Sequence, residues 1–361
     1  MENSMMNWMI IKIAFCIIIL LQVVPMMIWV ERRGSALMQN RLGPNRCGPF
    51  GLLQSLADAI KMLFKEDYTP THVEKAYFFL APVISVIPAF MTFGVIPFAS
   101  SITLDGQVIN FQIAELNVGI LYIFSIGSLG VYGIIMGAWA SNNKYSLLGG
   151  LRSTAQMISY ELAMGLSAVG IILAFSSVEL GQIVRGQGEV LLQLGPLAIP
   201  KWGVFIQPLG FLLFLTCVFA ETNRLPFDLP EGESELVAGY HLEYGSMKFA
   251  LFMMAEYLNM TTAAALVATL YFGGWQLLPG FGLLLGQVPL EGLAHEWFRV
   301  FLEVSSFLIK TGFFLWFFVW VRWTLPRFRY DQLMDLGWKG MFPLSFVNIF
   351  VTGLLVYYKV I

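Results

Sequence analysis

The chain has 361 residues, of which 57% are hydrophobic and 12% charged, with a mean hydropathy of +0.71 and a formal net charge of −2. Soluble domains carry about 25% charged residues, and the apolar residues here fall in runs of roughly 20, the length that crosses a hydrocarbon core of about 30 Å. This composition excludes a water-soluble enzyme, a disordered chain, a nucleic-acid-binding basic face and a disulfide scaffold, and it indicates an all-α polytopic membrane protein built as a single membrane domain over 1–361.

Eight stretches read as transmembrane helices: roughly 9–30, 76–99, 117–140, 154–176, 203–221, 247–272, 298–321 and 341–358. The first has no small-residue cleavage site and is followed by Glu31, Arg32 and Arg33, which marks a retained anchor rather than a signal peptide. The inner loop 31–75 contains an amphipathic helix over 50–66, started after the Gly48-Pro49 turn. Leu52, Leu53, Leu56, Ile60, Leu63 and Phe64 lie on one face, with Gln54, Asp58, Lys61 and Lys65 on the other. Such a helix lies in the membrane interface, either as a plain surface anchor or as the roof of a cavity opening to lipid.

A charged side chain at mid-bilayer costs roughly 2.5–3.5 kcal/mol on insertion scales, so each one asks for a reason. Glu161 lies nine residues past Arg152, roughly 13 Å along a helix. Its face continues through Gly165 and Ala168, small residues that let another helix pack closely. Glu221 ends the fifth span and opens the acidic inner loop 221–246, whose first part reads ETNRLPFDLPEGESELVAGYHLEY. Pro226 and Pro230 stop the helix from continuing. Glu221, Asp228, Glu231, Glu233, Glu235 and Glu243 face only Arg224, His241 and Lys248 as cations within reach in sequence. Leu225, Phe227, Leu229, Leu236, Val237 and Tyr240 are interleaved with them, which a purely solvated loop does not need. Carboxylates crowded in a partly buried site titrate as a coupled group and can store or relay protons.

Glu256 follows Lys248 by eight residues, with Phe252 one turn back and Asn259 one turn on. Neither Glu161 nor Glu256 has a basic residue one turn away, so both read as proton carriers rather than as halves of structural ion pairs. On the seventh span Arg299, Glu303, Ser306 and Lys310 form one polar stripe at i, i+4, i+7 and i+11. That stripe reads as a structural ion pair between helices.

Fifteen of the 21 Lys and Arg residues fall in the loops assigned to the inner side, which by the positive-inside rule puts both termini outside. Cys16, Cys47 and Cys217 form no CxxC pair, and His72, His241 and His295 are isolated. No set for a haem or an iron–sulfur cluster exists, nor any recognisable metal-ligand spacing. Electrons for any redox reaction must therefore arrive on a partner. The RLGPNRCGP stretch lacks the order of a phosphate loop, and no nucleophile triad is visible.

Several blocks resemble one family closely: Glu31-Arg32-Arg33, RLGPN from Arg41, GLLQSLADAIKMLFKE from Gly51, and ASNNKYSLLGGLRSTAQMISYE ending at Glu161. They continue with the acidic-loop string from Glu221, FALFMMAEY ending at Tyr257, and LPRFRYDQLMDLGWK ending at Lys339. The family is that of the quinone-binding membrane subunits of respiratory complex I, the proton-translocating NADH:quinone oxidoreductase of bacteria and mitochondria. Only the outer loops near 177–202 and 275–297 lack its pattern.

The resemblance implies a subunit of a proton-pumping enzyme, with no complete active site on this chain alone. NADH, FMN and Fe–S clusters would belong to partner subunits, and quinone would be the substrate. Arg32, Arg41, Asp58, Arg224 and Tyr257 would line or flank the quinone path. Glu161, Glu221, Glu231, Glu233, Glu235 and Glu256 would form the proton relay. Implied partners are peripheral quinone-module subunits, neighbouring membrane subunits, membrane lipid and quinone, with no nucleic acid. The implied location is an energy-transducing membrane, the bacterial plasma membrane in preference to the mitochondrial inner membrane. The alternative is the homologous membrane subunit of a membrane-bound hydrogenase or formate hydrogenlyase. A secondary transporter fits less well, because two repeated halves with matching broken helices are not apparent, and a purely structural anchor does not need Glu161 or Glu256.

Overall fold

The computed structural model describes residues 2–104, 107–194, 197–230, 232, 236–278 and 292–358. Three of the relay candidates, Glu231, Glu233 and Glu235, lie outside the described residues. The helices are α1 (Glu2–Met38), α2 (Gln54–Phe64), α3 (Lys75–Phe93), α4 (Gly119–Gly127), α5 (Leu129–Ala140), α6 (Lys144–Phe175), α7 (Leu180–Gly186), α8 (Gly203–Ile206) and α9 (Pro208–Glu221). They continue as α10 (Ser246–Tyr271), α11 (Leu293–Thr324), α12 (Tyr330–Asp335) and α13 (Phe342–Tyr357).

Among the described residues, seven helical stretches are long and apolar enough to span a bilayer: α1, α3, α4 with α5, α6, α10, α11, and α12 through α13. The remaining expected crossing, 203–221, is apolar and helical but broken, and its longest helix falls short of a span. It consists of the four-residue α8, a non-helical Gln207 and the 14-residue α9, which starts on Pro208. Fourteen residues reach only about 21 Å at 1.5 Å per residue, so α8 and the break supply the rest. Gln207 justifies the break by its side chain, which is bonded to Thr352 and Asn348 on α13 and pressed against Gly170 of α6.

Charge and contact agree on which ends share a side. Residues from the C-terminal ends of α1 and α11, the chain just past α9 and the first half of α10 meet through Glu31, Arg322, Arg224 and Glu256. At the opposite end, Gln187 accepts from the amides of Gly203 and Gly273 and donates to Thr269 O, tying α7 and α8 to the end of α10.

That opposite side holds two antiparallel hairpins the helical reading did not anticipate. The strands β1 (Ala99–Leu104) and β2 (Gln107–Phe111) form one, and β3 (Val190–Leu194) and β4 (Leu197–Pro200) the other. The span expected to end at 99 stops at Phe93, where the chain turns into β-branched Ile102, Thr103, Val108 and Ile109.

The polar stripe on α11 fastens the first hairpin and the end of α10. Arg299 pairs with Glu296 at 2.7 Å and Glu303 at 3.7 Å, and Glu303 accepts from Ser100 N at 2.7 Å. Lys310 differs from the expected pairing: its ammonium donates to Gly274 O at 3.0 Å and Gln276 O at 2.7 Å, and lies 4.8 Å from the Trp202 ring. Hydrogen bonds to charged groups contribute about 1.5–3 kcal/mol each. Lys310→Met is therefore expected to lower the melting temperature of the detergent-solubilised protein by several degrees. Arg329→Ala, at an exposed pair worth about 0–1 kcal/mol, is expected to leave it unchanged. Equal melting curves for the two variants would show that Lys310 fastens nothing.

The most enclosed of these spans is α10. It packs on α3 and α11 and carries Ala263, Ala264 and Ala265 where neighbours approach. Its own Phe252 and Tyr271, with Tyr160, Phe214 and Phe318 from its neighbours, fill the interior. Large side chains such as Phe15, Ile18, Phe313, Trp316 and Phe350 stay on the outside of the bundle, as expected for a chain whose surroundings are lipid.

Candidate functional site

The three adjacent residues that end α1 in charge point three ways. Arg33 donates to Phe50 O at 2.8 Å, and Trp29 Nε1 donates to the same carbonyl at 3.1 Å, so the start of the amphipathic segment is pinned to α1. The pin needs glycine nearby: Gly51 has φ +76°, and a Cβ there would meet Pro44 O at 2.2 Å. Arg32 pairs with Asp58 at 2.5 Å, and Gln54 also bonds Asp58 at 3.1 Å. The polar stripe of α2 thus meets α1, while Leu56, Ile60, Leu63 and Phe64 are turned outward and exposed. For a helix in water that arrangement would be inverted; against lipid it is the stable one. Ser246 closes the far end by donating to Met62 O and Lys65 O.

Glu31, the third residue, is buried. Its carboxylate is in ion-pair contact with Arg322, accepts from Tyr257 Oη at 2.7 Å, and lies 3.9 Å from Arg224. Arg224 in turn stands 3.7 Å from Glu256 and 4.5 Å from the Tyr257 ring, and Tyr240 Oη donates to Glu256 at 3.0 Å. This is an enclosed set of two carboxylates, two guanidiniums and two phenols, drawn from α1, α10, α11 and the loop after α9. Glu256 therefore has a cation partner that the spacing along the chain concealed, and the reading of it as a carboxylate without a cation is corrected.

The loop after α9 is seated as the interleaved apolar residues suggested. Phe227, Leu229, Leu236 and Tyr240 are buried, whereas Val237 is exposed. Gln156 on α6 donates to Ala220 O and Phe227 O, and Phe227 stacks on Phe328 at 5.6 Å. Asp228 pairs with Arg327 at 3.0 Å, and Lys248 pairs with Asp67 at 3.0 Å, so neither is left to the acidic loop in the way the sequence suggested. Glu243 takes Asn143 at 2.7 Å and His72 at 3.9 Å. Tyr240 can lie on α6 because Gly149 has no side chain: a Cβ there would meet Tyr240 N at 2.8 Å. Beside it Tyr244 stacks on Phe78 at 4.0 Å and donates to Phe78 O, and burial pushes its phenol above the usual range.

Glu221 ends α9, is partly buried, and lines two small cavities. The first is lined by Glu221, Thr222, Asn223, Tyr240, Glu256 and Asn259 among others. The second continues from Glu221 and Asn259 past Thr262 to Thr92, Phe124 and Leu266. Glu161, half-buried on α6, is close enough for its charge to act on Glu221. The face expected to be packed by another helix divides: Ala168 is fully buried, whereas among the described residues a Cβ at Gly165 would meet nothing within 4 Å. Close helix approach occurs instead at Gly150 against Ala138.

Among the described sequence-proposed residues the structure makes three groups. Arg32 and Asp58 join at the α1–α2 seam, and Arg224 and Tyr257 join in the buried cluster, adjacent to it through Glu31. Arg41 stands apart and is exposed, bonded to Gln39 at 2.6 Å and Ser35 at 3.3 Å. Glu221 and Glu256 share a cavity, with Glu161 near the first of them. Glu31, Arg322 and Tyr240 were missed as site residues. Glu31 carried a signal, a carboxylate at the end of an apolar run, but two following arginines made it look like an ordinary flank.

Comparison with known proteins decides the family. The model of the NADH dehydrogenase family matches residues 11–353. The chain belongs to the NADH dehydrogenase family. It is 48% identical over 336 residues to the H subunit of the NADH-quinone oxidoreductase of Thermomicrobium roseum, covering 93% of this chain and 92% of that one. It is 46% identical over 327 residues to the H subunit numbered 1 of the NADH-quinone oxidoreductase of Cytophaga hutchinsonii, covering 90% of each. With the H subunit numbered 2 of Geobacter sulfurreducens the identity is 46% over 344 residues, covering 95% and 94%. The family match over residues 11–353 takes in every residue of the buried cluster and of both cavities.

Proposed function

We propose that this chain is the membrane subunit of a proton-translocating NADH:quinone oxidoreductase, forming the membrane part of the quinone chamber and the start of the acidic relay that couples quinone reduction to pumping. NADH, FMN and Fe–S clusters belong to partner subunits. Peripheral quinone-module subunits cover the inner face, neighbouring membrane subunits pack beside Glu161 and Gly165, and lipid and quinone reach α2. The membrane is a bacterial plasma membrane, in line with the bacterial relatives. The hydrogenase alternative is not favoured, since the relatives named above are quinone oxidoreductase subunits.

One observation carries this reading: the chain of charge from the lipid-facing seam to the buried cavity. Arg32–Asp58 at the seam is followed by Glu31, then Arg224, then Glu256, then the space shared with Glu221. A quinone tail needs an apolar approach, which the outward face of α2 offers, and its head needs a few polar groups at the end. Reduction of a head group near Arg32, Asp58 or Tyr257 changes the charge beside Glu31. At about 4 Å unit charges interact by roughly 4 kcal/mol at an effective dielectric near 20, enough to displace a proton several residues on.

A photoreactive quinone analogue applied to the whole complex tests the chamber. We expect cross-links on α2 or on residues 221–244, suppressed by excess native quinone. Cross-links confined to the hairpins, or unaffected by quinone, would remove the chamber from this chain.

A further inference from the structure

We infer that Tyr240 is a positioning residue for Glu256: its phenol fixes one carboxylate oxygen beside the first cavity, while Arg224 holds the other toward the buried charge cluster. The inference rests on the relay reading above and adds to it the group that sets how Glu256 is presented.

Glu256 stands at a boundary. Its Oε2 lies 3.7 Å from a guanidinium nitrogen of Arg224, and its Oε1 accepts from Tyr240 Oη at 3.0 Å. Tyr240, Glu256 and Glu221 line the first cavity, whereas Arg224, Glu31 and Arg322 are not among its described lining residues. The two oxygens therefore face different surroundings. The last torsion of a glutamate is broad and roughly two-fold, so an ion pair at one oxygen leaves the group free to turn. A second donor, placed elsewhere, removes that freedom. Both holds come from the loop after α9, Arg224 from its first part and Tyr240 from its last, so the loop straddles this carboxylate.

The chain around Tyr240 is built to aim it. Val237 and Gly239 have φ of +67° and +60°, so the backbone turns sharply just ahead of it. The buried ring meets Phe252 edge-on at 5.4 Å and His241 at 4.9 Å. Phe252 lies one turn before Glu256 on α10, so the ring that supports Tyr240 and the carboxylate that Tyr240 reaches share one face. A phenylalanine would fill the same space. Packing alone does not ask for the hydroxyl; the carboxylate does.

The charge on Glu256 is set from several elements. Arg224 lies on the loop, with Glu31 of α1 and Arg322 of α11 behind it, and Glu221 stands across the cavity at the end of α9. His241 flanks the Tyr240 ring, and Tyr244 lies beyond Phe252. On α10 itself Lys248 is paired with Asp67, and Tyr257 bonds Glu31. The cavity lining from α3, α5 and α6, through Ser85, Ile134 and Met157, carries no charge. Removing the Tyr240 oxygen therefore changes the hydrogen bonding of Glu256 and leaves every charge around it in place.

The test uses the intact complex in sealed vesicles. Tyr240→Phe keeps the ring and removes Oη alone. We expect it to assemble within about twofold of the parent and to lose at least threefold in protons moved per quinone reduced. The pH profile of quinone-linked NADH oxidation should move by about one pH unit, the size that a hydrogen bond to a charged group gives. 3-Fluorotyrosine in place of Tyr240 keeps the shape and makes the hydroxyl a stronger donor, so it should still pump and move the profile the opposite way. A parent-like pH profile in Tyr240→Phe overturns the inference, and so do two variants that move the profile in the same direction. If Tyr240→Phe fails to assemble, the fluorotyrosine variant decides: a displaced profile supports the inference and an unmoved one overturns it. Glu221→Gln run in parallel keeps the two readings apart. If it pumps normally the relay itself fails; if it does not, while Tyr240→Phe does, only the positioning role fails.

Discussion

A Glu221→Gln variant is expected to assemble, to oxidise NADH with a water-soluble artificial acceptor at the parent rate, and to lose at least nine-tenths of proton translocation during quinone reduction. Glutamine keeps the size of the side chain and its ability to hydrogen-bond, but cannot hold a transferable proton. Among the described residues no cation forms an ion pair with Glu221, so the change strands no buried charge. Its structural cost should be below that of breaking a buried pair, about 3–5 kcal/mol. The same holds for Glu161, whose charge acts on Glu221 across the α6–α9 contact. If these carboxylates only support the fold, assembly and both activities fall together. If they carry protons, assembly survives and pumping does not. Measuring complex content, artificial-acceptor activity and protons per quinone on one preparation distinguishes the outcomes, and normal pumping by a Glu161→Gln, Glu221→Gln double variant would end the relay as drawn.

What was legible in the sequence was mostly what repeats along it. Hydropathy runs give the crossings, and the 3.6-residue period gives both faces of α2 and the Arg299-to-Lys310 stripe. Partners far apart in sequence were not legible. Glu31 meets Arg322, Tyr257 and Arg224; Asp228 meets Arg327; Glu256 meets Arg224. No local rule links residues that meet only after helices pack, so Glu256 looked free of cations and Lys248 looked available to the acidic loop. The broken crossing at Gln207 was hidden for the same reason, since its justification lies on α13 and α6. The hairpins were hidden by composition, because short apolar β-branched runs beside a span read as more of the span. The family blocks located the site residues, and packing divided them into a seam pair, a buried cluster and a cavity pair.

Arg224 should show the largest structural effect of any single residue in the site. It sits 3.9 Å from Glu31 and 3.7 Å from Glu256, with its guanidinium over the Tyr257 ring, and is buried. Arg224→Gln leaves Glu31 held by Arg322 and Tyr257 and takes from Glu256 an ion-pair partner, while Tyr240 still donates to it. Removing one member of a buried pair costs about 3–5 kcal/mol because the other charge stays behind. We therefore expect at least a tenfold drop in assembled complex. Glu256→Gln alone strands the guanidinium and should also reduce assembly, though less, since Glu31 remains 3.9 Å away. Combining the two removes both charges, and assembly should recover to within about threefold of the parent, at least about threefold above Arg224→Gln alone, the non-additivity expected of residues in one network. Recovered assembly is not recovered function: the double variant lacks the Glu256 carboxylate and should still fail to pump. If the losses simply add, Arg224 and Glu256 act independently and the buried chain of charge from the α2 seam to the Glu221 cavity is interrupted at that point.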